Sequence, residues 1–116
     1  MPEFKIVISD PKTGKAEQVE LKDEKAARLI GLKIGDIIDG GLVGKSGLKL
    51  KITGGSGKAG EPMRPDIKGG VKKMVLLSSP PGHHPKEKGT RKRKFVRGNT
   101  ITEDIVQINT VIVYNE

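Results

Sequence analysis

Five of the seven residues from Arg91 to Arg97 are cationic, and this run is the densest chemistry in the chain. In an extended segment, Arg91, Arg93, Phe95 and Arg97 face one way, and Lys92, Lys94 and Val96 the other. Both faces then carry charge, which does not suit a strand half-buried on a core. It suits a strand lying in a phosphate-lined groove, where arginine forks grip phosphate bidentately and lysine supplies point charge. Lys86 and Lys88 extend the patch, and Lys72 and Lys73 can join it across a sheet. The plainer alternatives are a solvated charged strand or a localisation signal.

Two other spots carry residue types that could do chemistry. Gly44-Lys45-Ser46 has the ending of a nucleotide-binding loop, but the full motif needs a glycine five residues before Gly44, and Asp39 stands there. The following Leu48-Lys49-Leu50-Lys51-Ile52 alternates like a strand, so no helix N-terminus faces a phosphate. Gly57-Lys58 fails similarly, with Ala59 where a hydroxyl is needed. His83 and His84 are adjacent in a proline-bounded loop with only Glu87 close by, a poor set for one metal ion. No serine, cysteine or carboxylate constellation accompanies them. The expectation is a non-enzyme with no catalytic residue, cofactor or metal.

The charge distribution says which partner to expect. The formal charge is +8. Residues 1–46 are neutral on balance, residues 47–100 carry +11, and residues 101–116 carry −3. Lysine enrichment of the kind seen in proteins of hot environments comes with matching glutamate, and here the acids do not keep pace. A field so concentrated attracts a polyanion. Phe4, Phe95 and Tyr114 are the only aromatics, which disfavours sequence-specific reading of single strands by stacking. Backbone and shape recognition of folded RNA fits better. A membrane surface would call for an amphipathic helix with large apolar residues, and none is seen. There is no run of 18 apolar residues, no signal-peptide pattern and no cysteine, so a cytoplasmic protein is the plain reading.

The elements that must position these cations are short. Phe4, Ile6 and Ile8 alternate with Lys5, Val7 and Ser9, and Asp10-Pro11-Lys12-Thr13-Gly14 is a turn leading into a second strand through Val19 and Leu21. Asp23 can cap a helix from Glu24 to Ile30, closed by Gly31, with Ala26, Leu29 and Ile30 on one face. Short strands and turns fill 34–47, and Leu48, Leu50 and Ile52 alternate with Lys49, Lys51 and Thr53. Further strands are expected at Val71–Ser78 and Arg91–Val96. In a last long strand, Val106, Ile108, Ile112 and Tyr114 share a face. The reading is one all-β domain over 1–116, a small barrel of about six strands with one short helix near residues 23–30. Two long basic Gly/Pro loops, Gly54–Gly70 and Ser79–Thr90, have almost nothing to bury, and loops of that kind are functional or ordered on binding.

In order and spacing, five segments carry a resemblance: Gly54-Gly55-Ser56; Pro62-Met63-Arg64-Pro65-Asp66; Gly69-Gly70-Val71 with Leu76-Leu77-Ser78; Arg97-Gly98-Asn99-Thr100-Ile101; and Asp104-Ile105-Val106-Gln107-Ile108-Asn109. Together they resemble the sixth small-subunit ribosomal protein family of archaea and eukaryotes, in the short archaeal form without a phosphorylated C-terminal tail. The resemblance implies a β-barrel assembled on small-subunit ribosomal RNA beside neighbouring ribosomal proteins. It implies a structural role in translation, without catalysis or small-molecule substrate. It assigns the loop bearing Lys58 and Arg64 to insertion into RNA, and Arg91–Arg97 with Asn99 to the RNA backbone. Gly57 and Glu61 depart from the pattern, standing where an acidic and an aromatic residue are expected. His83, His84 and Glu87 dilute a stretch usually richer in Arg and Lys. The chain is expected to be a monomer when not ribosome-bound. A small DNA-compacting chromosomal protein is the alternative, weakened by the long loops, which a uniform duplex does not need.

Overall fold

The structure is a computed structural model, and it describes residues 3–77 and 92–114. Strand β1 (Glu3–Ser9) buries Phe4, Ile6 and Ile8 and turns back through the 10–15 loop into β2 (Ala16–Lys22). The turn closes as its residue types require. Gly14 takes φ +74 and donates to the Asp10 carbonyl at 2.8 Å, and the Asp10 carboxylate accepts from Lys12 N–H at 2.9 Å.

Helix α1 (Asp23–Ala27) is shorter than its apolar spacing suggests. Its cap position is Lys22, without a side-chain bond, and Asp23 is the first helical residue, at φ +56. After Ala27 the chain tightens. Leu29 N–H bonds the Ala26 carbonyl and Leu32 N–H bonds the Leu29 carbonyl, three residues back in each case. At three residues per turn, 26, 29 and 32 stack on one face. Ala26 and Leu29 are accordingly buried, whereas Ile30, expected beside them, is exposed.

The main sheet adds β3 (Ile37–Asp39), β4 (Lys49–Gly57) and β7 (Ile105–Val113), in the order β2-β1-β7-β4-β3. All neighbours are antiparallel except β1 and β7, which run parallel with Ile6 opposite Ile108. Thr110, buried in β7, donates its hydroxyl to the Val7 carbonyl at 2.8 Å, a side-chain tie across this parallel pair. A turn of 3-10 helix, Gly40–Val43, separates β3 from β4. The core is aliphatic, built from Ile6, Leu50, Ile52, Ile101, Ile105 and Ile108 around Phe4.

Two irregularities reset which side chains face inward. Opposite β7, Ile52 pairs with Thr110 and Gly54 with Asn109, so Thr53 is an extra residue. Further along, Ser56 pairs with Gln107 and Gly57 with Ile105, which makes Val106 the extra residue on β7. Such bulges shift alternation by one. Ile105 and Ile108 are therefore both buried, while Val106, expected on the inner face, is 41% exposed.

The remaining strands, β5 (Lys72–Leu77) and β6 (Lys92–Arg97), form a separate antiparallel ribbon. The architecture is all-β, as the strand pattern implied. The five-stranded sheet ends on β2 and β3, which do not pair with each other, so it is a curled partial barrel. The charged edge residues Glu17, Glu20 and Lys22, and the brevity of β3, discourage further edge pairing.

Candidate nucleic-acid interface

The ribbon pairs Lys72 with Arg97, Lys73 with Val96, Met74 with Phe95, Val75 with Lys94, Leu76 with Arg93, and Leu77 with Lys92. The cations of β5 and β6 therefore share one two-stranded sheet, with Lys72 opposite Arg97 and the others opposite apolar residues. Along these twelve residues there are six Lys or Arg and no Asp or Glu.

The ribbon is anchored to the body by the loop that joins β4 to β5. Pro62 and Met63 lie between β4 and β6. Met63 N–H bonds the Gly55 carbonyl at 2.9 Å on one side, Arg97 N–H bonds the Pro62 carbonyl at 2.7 Å on the other, and Arg64 N–H bonds the Arg97 carbonyl at 2.8 Å. Met63 is buried, as is Glu61. The expectation that residues 54–70 have almost nothing to bury is thus corrected. Residues 54–57 complete β4, and single bridges at Pro62 and Met63 link β4 to β6. The signal was present in Met63, the one large apolar side chain of the stretch before Ile67, but of its two partners only Gly55 is near in sequence and Arg97 is remote.

Arg97 is the largest departure from the reading of this region. It is only 8% exposed. Its Nε donates to Glu61 Oε1 at 2.9 Å and its Nη2 lies 2.8 Å from the same oxygen, while Nη1 reaches Asp104 Oδ2 at 3.5 Å. A cation at the base of a charged strand was expected to face outward, and here it turns under the loop instead. Gly57 makes this possible, because a Cβ there would collide with Glu61 Oε1 and sit 2.8 Å from Arg97 Nε. Gly57 and Glu61 are thus one arrangement. Burial pushes the Glu61 carboxyl up, but a bond from its own backbone N–H, the Arg97 guanidinium and the charge of Lys72 outweigh that and hold it below its ordinary value.

Asn99 also works inward. Its Oδ1 accepts from Gly69 N–H at 3.1 Å and from the Thr100 hydroxyl at 3.0 Å, and its backbone N–H bonds the Ile67 carbonyl at 2.7 Å. Gly98 beside it permits this approach, since a Cβ there would fall on the Gly69 carbonyl oxygen.

The cations left at the surface are differently placed. Lys58 is exposed, with Nζ 3.7 Å from Asp104 Oδ1. Arg64 grips Asp66 through both Nε (3.0 Å) and Nη2 (3.2 Å). Lys72 Nζ lies 4.8 Å over the Phe95 ring. Lys68, exposed in the same loop, belongs to this surface and was not singled out from the sequence. For Lys73, Lys92, Arg93 and Lys94 the backbone positions are as given by the register. Lys86, Lys88, Arg91, His83, His84 and the Ser79–Thr90 loop lie outside the described residues. The Gly44-Lys45-Ser46 segment is not a phosphate cradle. Gly44 ends the 3-10 turn at φ +78, and Lys45 Nζ is 2.7 Å from Glu17 Oε1.

Comparison with known proteins adds a second line of observation. The family model described as Ribosomal protein S6e matches residues 4–116. A protein of Caldivirga maquilingensis named small ribosomal subunit protein eS6 is 54% identical over 121 residues, covering 100% of this chain and 81% of that protein. Proteins of the same name from Staphylothermus marinus and Hyperthermus butylicus are 65% and 67% identical over 100 residues, covering 86% of this chain. The chain spans 46% of the length of each of these last two.

Proposed function

The chain belongs to the ribosomal protein S6e family, and on that premise we propose that it is a structural constituent of the small ribosomal subunit. In this reading it holds ribosomal RNA through the β5–β6 ribbon and the 58–71 loop, supports translation, and carries out no catalysis. The observation that supports it best is a ribbon with six cations and no acid, of which one, Arg97, fixes it to the body through a buried ion pair and five remain as candidate phosphate contacts. A polyanion neutralises such a ribbon, and folded RNA offers phosphates on several sides of a penetrating element.

The candidate residues divide by placement. Lys72, Lys73, Lys92, Arg93 and Lys94 on the ribbon, with Lys86, Lys88 and Arg91 from the sequence beside it, are the phosphate contacts. Lys58 and Arg64 serve the loop. The Lys58–Asp104 pair is exposed, and exposed pairs contribute only about 0–1 kcal/mol, so exchanging the carboxylate for a phosphate costs little. Arg97 and Asn99 are positioning residues that hold the loop against β6. Neighbouring ribosomal proteins are the remaining partners, the cytoplasm is the compartment, and the free protein is a monomer.

Sedimentation of cell lysate through a sucrose gradient, followed by immunoblot at low and high salt, tests this. Co-migration with the small subunit and intact ribosomes, lost only under stripping salt, is the expected result. Recovery with the chromosome, or at the top of the gradient, would sink it. Competition between ribosomal RNA and duplex DNA then separates the reading from the DNA-compacting alternative.

A further inference from the structure

The cationic ribbon carries an apolar patch that phosphate binding does not explain. Met74 and Phe95 are directly opposite in the β5–β6 register, so they rise from one face. They are 49% and 48% exposed, and Val71, just before the ribbon, is 51% exposed. These are three of the six large hydrophobic residues left exposed among the described residues. Single exposed apolar side chains need no explanation. Two directly opposite each other on one ribbon face, one of them an aromatic in a chain with two phenylalanines and no tryptophan, do.

Whatever covers this patch must present a flat apolar surface and negative charge together, because the ribbon around it has no acid and five cations besides the Glu61-paired Arg97. An unpaired nucleotide does both, with a π face on its base and a phosphate on either side of its sugar. A basic or neutral protein surface would leave the cations unpaired. Lys72 Nζ now sits 4.8 Å over the Phe95 ring. That contact keeps the ring partly covered and places a cation where the phosphate of a stacked nucleotide would arrive.

We propose that Phe95, with Met74 beside it, is a stacking platform for one unpaired base of the bound RNA, and that Lys72 leaves the ring to meet that nucleotide's phosphate. The inference rests on the RNA-binding reading above and adds a contact that is not electrostatic. It is a single platform, so it fixes register on a folded RNA without reading a sequence.

The sequence has no tryptophan and one tyrosine, so Phe95→Trp introduces a lone indole, excited selectively at the red edge, at an exposed position. The probes are an RNA hairpin with an unpaired loop, a blunt RNA duplex of equal charge, and polyphosphate, each at several salt concentrations. Quenching of the indole by the hairpin, and not by polyphosphate or duplex, is expected. Phe95→Leu should weaken hairpin binding about tenfold or more at every salt concentration without changing the salt slope, whereas Lys72→Ala should reduce the slope by about one. An unquenched indole in a protein shown by RNA anisotropy to be bound, together with parental affinity for Phe95→Leu, overturns the platform and leaves RNA binding standing. Normal hairpin binding by Phe95→Leu with loss of co-sedimentation assigns the patch to a protein neighbour and also overturns it. A parent protein that binds none of the RNAs removes both readings.

Discussion

Arg97 meets Glu61 through two nitrogens on a single carboxylate oxygen, Oε1, while the other oxygen, Oε2, is buried without a hydrogen-bond partner. Both residues are nearly sealed from solvent. A pair of this kind is worth little against a well-packed apolar substitute, yet breaking it strands a buried charge. Its position explains why it is there. It joins the loop after β4 to the last residue of β6, so the charged ribbon cannot pivot on the barrel without separating two desolvated ions.

Removing one partner tests this directly. Glu61→Ala should cost about 3–5 kcal/mol in urea unfolding, whereas Glu61→Leu combined with Arg97→Met should return to within about 1 kcal/mol of the parent. A double variant as unstable as the single one would mean that packing, not charge, holds the loop.

Acid sensitivity gives the same pair a signature. Glu61 titrates below its ordinary value of 4.5, because its backbone bond, Arg97 and Lys72 outweigh burial. With the folded value below the unfolded one, the stabilisation is full above about pH 5 and lost as pH falls through the folded value. The stability gap between parent and Glu61→Gln should therefore shrink from neutral pH to about pH 3. A gap independent of pH across that range would show that folding leaves the Glu61 carboxyl at its ordinary value, and a gap that widens toward acid would show that the carboxyl is neutral in the folded protein.

At the far side of the sheet, the Tyr114 hydroxyl donates to Asp10 Oδ1 at 2.8 Å, the largest of the influences lowering the Asp10 carboxyl and raising the Tyr114 phenol. Tyr114→Phe should move Asp10 up toward 3.8 in an NMR titration of side-chain carboxyl carbons. No movement would place Asp10 under the control of the Lys12 and Thr13 backbone groups and the Thr13 hydroxyl instead.

Salt dependence measures the ribbon. Neutralising about six to eight phosphates gives a slope of roughly −4 to −7 in log affinity against log salt. Replacing Lys92, Arg93 and Lys94 by alanine should flatten it by about two to three, with unfolding midpoints near the parent's. Arg97 does not belong in that set, since its alanine variant would lose stability rather than a surface contact. An unchanged slope moves the RNA site away from β6.

What could be read from the sequence was what is local. The β1–β2 hairpin announces itself through alternation and a turn rich in Asp, Pro and Gly, and the cations of β5 and β6 are visible as runs. Ile30 was misplaced because a tightening of the last helical turn has no apolar-period signal of its own. Val106 was misplaced because a bulge depends on the partner strand, where Gly57 stands opposite Ile105. Arg97 was read as outward-facing because charge usually is, and its partner lies 36 residues earlier. The parallel pairing of β1 with β7 joins segments from opposite ends, and nothing in either segment specifies the other.

That parallel pairing has a consequence for how the protein comes into being. Strand β7 sits between β1 and β4, yet it is the last of the described strands to leave the ribosome that makes it. Until it emerges, β1 and β4 each show an unpaired edge and the apolar face that belongs under Ile108 and Ile112. Assembly of the sheet therefore waits until residues 105–113 have been made, and its many distant pairings make that step slow. A nascent chain halted before residue 105 would hold the β1–β2, β3–β4 and β5–β6 pairs with nothing to join β1 to β4, leaving two open edges ready to pair with another chain.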